Sequence, residues 1–176
     1  MSKLLTVNIF LSLQIQICSD EMVSFNDIFT DDTKIGKKIK ARDYQITGKY
    51  PIIDQGQKQI AGYTNKSEGK INKIPAIVFG DHTRVIKYLD TPFFIGADGV
   101  KVLHAKDSNA NYKYLYYALK NVYIPNTGYN RHFKWLKQAN INYPDVTTQK
   151  YIVTVLDELC DIINNLNFPH QKTMKP

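Results

Sequence analysis

The chain lacks the motifs of several common enzyme classes. No glycine-rich phosphate-binding loop occurs in its 176 residues, which excludes an ATP-driven motor of that type. A glycine-rich loop for S-adenosylmethionine is also absent. The Asn/Asp-Pro-Pro-aromatic box of DNA methyltransferases is missing too, since Asn142-Tyr143-Pro144 supplies one proline and no following aromatic residue. We therefore expect no methyl transfer by this chain alone.

Cysteines and long hydrophobic runs are also scarce. The two cysteines, Cys18 and Cys160, are far apart, which fits a reducing cytoplasm better than a disulfide scaffold. The apolar run from Leu4 to Cys18 is interrupted by asparagine and glutamine, and no small-residue cleavage site follows it. We interpret it as a strand or an irregular extension. Because it is too short and too polar to cross a bilayer, the sequence predicts a cytoplasmic protein with no membrane association.

Arginine is rare although the chain is basic. Only Arg42, Arg84 and Arg131 are arginines among the 23 basic residues, so lysine carries most of the net charge of +7. This charge favours an anionic partner, although abundant lysine is also typical of a solvated surface. The length and the 43% hydrophobic content suffice for one domain with its own core.

The segment from Ile74 to Leu103 predicts short strands separated by polar turns. The strand candidates, rich in β-branched and aromatic residues, are Ala76 to Phe79, Arg84 to Leu89, Phe93 to Ile95 and Val100 to Leu103. In the last run Val100 and Val102 share one face, because alternate residues of a strand point to opposite sides. Composition alone fits a meander in any small α+β domain.

Helical spacing follows these strands. Asp107 or Ser108 can cap a helix whose apolar stripe we expect to be buried as core. A second short helix is predicted between Arg131 and Ala139, with Phe133 and Leu136 facing inward. The residues of the first stripe are Tyr112, Leu115, Tyr116, Leu119 and Val122.

From Val146 onward the apolar residues repeat at alternate steps of three and four, the pattern of a coiled-coil seam. Asp145 or Thr147 can cap the start of this helix. About 20 residues give a helix of about 30 Å, which is marginal alone in water and needs a partner surface. The alternative is an ordinary amphipathic helix packed on its own domain. The seam comprises Ile152, Val155, Leu159, Ile162 and Leu166, widened by Leu156 and Ile163.

Three stretches are informative in combination. They are YPIIDQGQKQIAGYTN from Tyr50, IVFGDHTRVIKY followed by PFFIGADGVKVL from Ile77, and INYPDVTTQKYIVTVLDEL from Ile141. In this order they resemble the target-recognition domain of type I restriction-modification specificity subunits, and the last resembles the entry into their conserved helix. The resemblance covers roughly residues 23 to 166, and its specificity comes from the order of the pieces.

The resemblance implies an α+β fold. A mixed β-sheet target-recognition domain is expected over residues 22–146 and a coiled-coil-type dimerisation helix over 147–167, with an unassigned extension at 1–21 and a tail at 168–176. The implied function is sequence-specific, non-catalytic recognition of double-stranded DNA. The implied partners are a DNA methyltransferase subunit and a restriction and translocase subunit. We expect S-adenosylmethionine, ATP and magnesium in those partners and no cofactor or metal on this chain.

A single recognition domain with one short helix predicts a half-length subunit that forms a homodimer. A truncated remnant of such a subunit, or a cassette that recombines into a longer partner, remains the alternative.

Three polar loops carry residue types that can reach base edges or phosphates. Each could equally be a solvated turn. The candidate DNA-binding residues are Gln55, Gln57, Lys58 and Gln59 in the first loop, His82, Thr83 and Arg84 in the second, and Thr127, Tyr129, Asn130, Arg131, His132 and Lys134 in the third.

Two metal-based alternatives stay open at this point. Asp54 with Glu68-Gly69-Lys70 has the residue types of a magnesium-dependent nuclease, although the second element lies in a polar loop rather than on a strand. A metal cluster could also form from Asp81, His82, Asp98 and His104, although a histidine in a turn is more often a hydrogen-bonded turn residue.

Overall fold

The computed structural model describes residues 21–96 and 98–166, and these residues form an α+β fold. The run from Leu4 to Cys18 lies outside the described residues. The strands are β1 (Met22–Ser24), β2 (Phe29–Asp31), β3 (Tyr50–Ile53), β4 (Gly62–Thr64), β5 (Ala76–Gly80), β6 (Ile86–Leu89), β7 (Phe94–Ile95), β8 (Val100–Ala105) and β9 (Asn140–Asn142). The helices are α1 (Phe25–Ile28), α2 (Tyr112–Asn121), α3 (Phe133–Lys137) and α4 (Val146–Leu166), with 3-10 turns at Thr33–Ile35 and Ala41–Asp43.

The described strands form three small sheets. The largest is antiparallel with the order β2-β8-β5-β6, and the second has the order β4-β3-β7. The second sheet is mixed, because β3 pairs antiparallel with β4 and parallel with β7. The third joins β1 to β9, so the start of the domain is paired with the segment that leads into α4. The predicted α+β fold with a mixed sheet and a C-terminal helix is confirmed.

Strand β5 is buried along its whole length between two apolar clusters. Ile77 and Phe79 pack in the cluster that also contains residues of α2, α3 and α4. Val78 points to the opposite face, into a cluster with strand residues of the second sheet. The same alternation in β8 places Val102 with Val78 and Leu103 with Ile77, as the sequence predicts.

Helix α2 begins later than the sequence indicates. Its cap is Asn111, whose side-chain oxygen accepts a hydrogen bond of 3.2 Å from the Tyr114 amide, so the prediction of Asp107 or Ser108 is wrong. The buried face is also rotated from the predicted stripe, because α2 contacts both the large sheet and α4. Leu115 and Leu119 are buried as expected, but so are Tyr114, Tyr117 and Ala118, whereas Tyr112, Tyr116 and Val122 are only partly buried.

The first half of α4 packs on its own domain. Asp145 caps the helix by accepting hydrogen bonds from the Thr147 and Thr148 amides and the Thr148 hydroxyl. The Thr148 hydroxyl, with these amides, holds the pKa of the Asp145 carboxyl below its usual value. Ile152 and Leu156 are each 1% exposed, so this part of the predicted seam is covered by the domain's own core.

The second half of α4 is less covered. Val155 and Leu159 are partly buried, and Ile162 is 54% exposed. The side chains of Ile163 and Leu166 lie outside the described residues. The first half of α4 is therefore an ordinary amphipathic helix packed on its own domain, which was the alternative to a coiled-coil seam. No helix within residues 21–96 and 98–166 is long and apolar enough to cross a membrane.

A polar contact fixes α4 against α2. The Asp157 carboxylate accepts hydrogen bonds from the Tyr117 hydroxyl at 2.7 Å and the Lys113 ammonium at 2.5 Å. Burial, followed by the hydrogen bond to Asp157, raises the pKa of Tyr117 well above its usual value. Tyr117 thus stays a neutral donor, and the contact joins α4 to α2 beside the buried Ile152 and Leu156.

Tyr117→Phe should lower the free energy of unfolding by about 1.5–3 kcal/mol, because it removes a hydrogen bond to a carboxylate and leaves the volume of the core nearly unchanged. Urea denaturation measures this change. The matched control is Tyr123→Phe, because the Tyr123 side chain is 87% exposed. Equal effects of the two variants would contradict a role for Tyr117 in fixing α4.

Candidate nucleic-acid interface

Three loops from different parts of the chain meet on one side of the domain. Loop A (residues 54–61) connects β3 to β4, loop B (residues 81–85) connects β5 to β6, and loop C (residues 126–132) precedes α3. These loops carry the candidate DNA-binding residues of the sequence apart from Lys134, which lies in α3. Hydrogen bonds between the loops define their relative positions.

Gln55 joins loop A to loop B and to the turn between β7 and β8. Its amide nitrogen donates to the Asp98 carbonyl at 3.1 Å, and its amide oxygen accepts from the His82 backbone N–H at 3.1 Å. The Thr83 hydroxyl donates to the Gln55 carbonyl at 2.6 Å. Gln55 therefore connects three turns, and much of its hydrogen-bonding capacity is used inside the protein.

The Gln55 side chain occupies a slot that glycine leaves open. A Cβ atom on Gly99 would lie 2.8 Å from both amide atoms of Gln55, and Gly99 has a φ of +86° that L residues rarely adopt. A Cβ atom on Gly80 would lie 2.9 Å from the Gln55 Cβ. Gly80 and Gly99 thus leave the space that the Gln55 side chain of loop A occupies.

Asp81 fixes loop C to loop B. Its carboxylate, in a side chain buried at the end of β5, accepts from the Phe133 N–H at 2.8 Å at the start of α3. Its backbone carbonyl accepts from the His132 N–H at 2.8 Å and lies 3.0 Å from the His132 Nδ1. Because a carbonyl oxygen only accepts, Nδ1 must donate in this contact.

His132 is therefore a structural residue. It is 0% exposed, and its Nε2 lies 3.4 Å from the Thr127 hydroxyl of the same loop. The prediction of a direct DNA contact by His132 is wrong, because the ring is enclosed by the loop that carries it.

An aromatic stack connects loops B and C at the surface. The rings of His82 and Tyr129 are 4.7 Å apart and nearly parallel, at 8°. The His82 Nδ1 also lies 3.2 Å from the Asn130 carbonyl. Tyr129 is 87% exposed, so its outer surface is available to a ligand. An exposed aromatic face of this kind can contact bases or sugars.

Basic side chains surround the stack. A small cavity of about 150 Å³ beside it is lined by residues that include His82, Lys38, Lys101, Asp98 and Arg131. The Lys38 ammonium, 2.6 Å from Asp98, holds the pKa of that carboxyl below its usual value, and Arg131 contributes in the same direction. Lys38 is paired with Asp98, and the Lys101 ammonium lies 3.3 Å from the Asp31 carboxylate, so two of these three cations have carboxylate partners.

A model of the type I restriction modification DNA specificity domain matches residues 20–171. The chain belongs to this family. It is 30% identical over 133 residues to the specificity subunit of the type I restriction enzyme EcoR124I/EcoR124II of Escherichia coli, an alignment that covers 68% of this chain and 33% of that subunit.

Solved structures have the same fold. The S subunit of a type I restriction-modification system from M. genitalium superposes with a TM-score of 0.59 and 19% identity over 89% of this chain and 45% of that one. The HsdS subunit of Thermoanaerobacter tengcongensis gives 0.59 and 13% over 96% and 46% of the two chains. This specificity-domain chain spans a third of the curated relative and less than half of these solved chains.

The candidate residues of this specificity domain fall into two groups. One group makes contacts inside the protein: Gln55 and His82 as described, Gln59 through its amide to the Tyr88 carbonyl, and Arg84 through its guanidinium to the Ile124 carbonyl. The other group is exposed, and its members are Gln57, Lys58, Thr83, Thr127, Tyr129, Asn130, Arg131 and Lys134. Within it, the Thr83 hydroxyl and the Asn130 amide also donate to the Gln55 and Thr127 carbonyls. The structure thus brings the candidates together, while contact with DNA stays a prediction.

The groups that suggested metal sites have protein partners. The Asp54 carboxylate accepts from the Gly56 N–H at 2.8 Å and lies 3.7 Å from the Lys87 ammonium. His104 is 0% exposed, with its ring nitrogens 2.8 Å from the Asp32 carboxylate and 2.8 Å from the Lys73 carbonyl. His104 is thus separated from the surface turn of His82, and the predicted cluster does not assemble. Within residues 21–96 and 98–166, no group of three or more histidines, cysteines or acids is placed to hold a metal.

Sequence reasoning missed Asp81 and Lys87 as residues that build this surface. The sequence suggests Asp81 only as a possible metal ligand, and it does not single out Lys87 among its lysines. A lysine inside the strand IKYL was the available signal, because β6 has its alternate positions buried.

Gly99→Ala should destabilise the domain more than Gly128→Ala. Both glycines have a positive φ, of +86° and +76°, so both variants incur left-handed strain of about 1–2 kcal/mol. Nothing lies within 4 Å of a Cβ on Gly128, whereas one on Gly99 displaces Gln55. Overpacking should add about 1–3 kcal/mol at Gly99 alone.

Denaturation in urea measures the two free energies of unfolding. The amide resonance of His82 reports whether its bond to Gln55 is lost. If the two variants were equally destabilised and the His82 resonance were unchanged in Gly99→Ala, Gln55 would not depend on the space beside Gly99.

Proposed function

We propose that the chain is the DNA-recognition component of a type I restriction-modification complex, and that loops A, B and C contact double-stranded DNA. The observation that carries the proposal is the mutual fixation of these loops through Gln55, Asp81 and His132. Such bonds place exposed amide, hydroxyl and cationic groups on one rigid surface. Rigid presentation is what base recognition requires, because an ordered side chain loses little entropy on binding. Family membership supports the same function.

The exposed residues divide by chemistry. Gln57 and Asn130 each have an amide donor beside an amide acceptor, and Arg131 has parallel donors only; both kinds of group match base edges in the major groove. Lys58 and Lys134 carry single, mobile charges suited to phosphate. Tyr129, stacked on His82, supplies a flat surface for a base or a sugar. The proposed division is therefore base contact by loops A and C and anchoring by the surrounding lysines.

The proposed role is non-catalytic. The chain would direct a separate methyltransferase subunit, which would bind S-adenosylmethionine, and a separate restriction and translocase subunit, which would use ATP and magnesium. The assignment of these groups to partners follows from the family resemblance and from the motifs missing in the sequence. Such a complex would work in the cytoplasm.

We also propose that the second half of α4 forms a partner surface, with a second copy of the chain as its occupant. Ile162 lies beyond the part of the helix that Ile152 and Leu156 anchor in the core, and it is 54% exposed. Two-fold dimers are the commonest oligomers. An antiparallel pair of α4 helices would place two recognition surfaces at opposite ends and would match an inverted repeat with a spacer.

Duplex DNA should bind with steep salt dependence, because lysine contacts release counterions. Arg131→Ala should weaken binding to a selected duplex by about 1–3 kcal/mol and weaken binding to unselected duplexes less, as expected for a base contact. Fluorescence anisotropy at several salt concentrations measures both. Lys150→Ala is the control, since Lys150 is exposed on α4 away from the loops.

A binding constant that does not change between low and moderate salt would overturn phosphate contact by this surface. Equal losses for Arg131→Ala on selected and unselected duplexes would reassign Arg131 to the phosphate backbone.

The protein should sediment as a dimer at micromolar concentration, and Ile162→Glu should convert it to a 20.3 kDa monomer. The substitution places two unpaired charges in one interface, which costs several kcal/mol. Thr154→Glu is the matched control, because Thr154 is exposed on another face of the same helix. A wild-type monomer with and without DNA would contradict the second copy as the occupant and would favour a remnant subunit.

A further inference from the structure

Lys87 is a charged residue in an apolar position. It lies in β6, the edge strand of the largest sheet, and pairs with Val78 of the central strand. Its side chain is 2% exposed and occupies the same strand face as the buried Leu89. A lysine is rarely enclosed to this degree unless its ammonium group has partners.

The partners of this ammonium group all belong to loop A. The Lys87 Nζ donates to the Asp54 carbonyl at 2.8 Å and to the Lys58 carbonyl at 2.6 Å, so it joins the beginning of the loop to its middle. It also lies 3.7 Å from the Asp54 carboxylate, which accepts the Gly56 N–H. Burial lowers the pKa of Lys87, while the negative charge of Asp54 acts in the opposite direction.

We propose that Lys87 is a positioning residue for DNA recognition: its ammonium group holds loop A in the conformation that presents Gln57, and sequence discrimination depends on it. The inference rests on the proposed function. Lys87 itself does not reach the DNA, because its side chain is enclosed behind the loop. Its loss should therefore reduce the preference for a selected sequence, while the affinity for arbitrary duplex changes little.

The neighbouring contacts explain why loop A depends on this one residue. Lys87 bridges the two larger sheets, since loop A begins at the end of β3 and Lys87 lies in β6. Adjacent to it, the Tyr88 carbonyl accepts from the Gln59 amide at 2.9 Å. Without the ammonium group, two loop carbonyls and the Asp54 carboxylate lose their shared donor. The loop then keeps its contacts through Gln55 and Gln59 and the bond from the Ala61 N–H to the Ile52 carbonyl at its end, but its first half loses the group that joins it to β6.

The first test is independent of DNA. Hydrogen exchange in Lys87→Met should accelerate at the Gly56 amide by at least about tenfold relative to the amides of β5, because the loop opens locally while the sheet does not. Methionine keeps the length and volume of the chain without the charge. Equal acceleration in loop A and β5 would mean a general loss of stability and would overturn the proposal.

The second test measures specificity. Wild type is used to select duplexes from a randomised pool, and binding of the selected and unselected duplexes is compared for each variant. Lys87→Met should lower the ratio of the two affinities by about tenfold or more, with an unchanged salt slope. Lys58→Met is the matched control. It removes an exposed lysine of the same loop and should lower both affinities and reduce the salt slope by about one.

The outcomes separate the two hypotheses. If Lys87→Met retains the wild-type ratio, the positioning role is overturned while the proposed function stands. If it changes the salt slope as Lys58→Met does, Lys87 acts on phosphate and the proposal is also overturned. If wild type selects no sequence, the proposed function fails together with this extension, even where the exchange result shows that Lys87 holds the loop.

Discussion

The side-chain amide of Gln55 is the interaction on which the candidate interface depends. This planar group donates to the turn before β8 and accepts from the turn after β5, and the Gln55 backbone carbonyl accepts from the Thr83 hydroxyl. An amide can do this because it carries a donor and an acceptor on one planar group. Glutamate lacks the donor and a hydrophobic residue lacks both, so neither would connect the same turns.

Most of the other contacts either make room for Gln55 or connect its loops to neighbouring elements. Gly80 and Gly99 leave room for the Gln55 side chain, Asp81 carries the connection on to α3, and Lys87 supports loop A from behind. Asp81 and Lys87 each use, for contacts inside the protein, a charged group that water would otherwise solvate. Exposed candidate residues and residues that hold the loops together are therefore neighbours in the sequence.

The sequence predicted the parts of the fold that depend on local pattern. The strands of Ala76–Gly80 and Val100–Ala105 follow from β-branched runs between turn residues, and α4 follows from its heptad-like spacing. The cap at Asn111 was missed because Asp107 and Ser108 are equally good caps by composition, and only the path of the chain decides between them. The coverage of Ile152 and Leu156 was likewise undetermined, since a seam and a core face have the same spacing.

The candidate site was predicted at the level of loops rather than of residues. Polar composition identified the three loops, but it cannot distinguish His132, enclosed against the Asp81 carbonyl, from Arg131, which is exposed one position earlier. It also cannot identify Lys87, whose importance arises from contacts with residues about thirty positions earlier in the chain. These distinctions depend on tertiary contacts, and tertiary contacts have no local signature.

The most direct test of the account is to map the contact surface with a duplex selected by the protein itself. Backbone and side-chain resonances are followed during titration with that duplex. The largest shifts are expected at Gln57, Lys58, Tyr129 and Arg131, with none of comparable size at β1 and β9, which lie outside loops A, B and C. Shifts concentrated at β1 and β9, with loops A, B and C unaffected, would contradict the account.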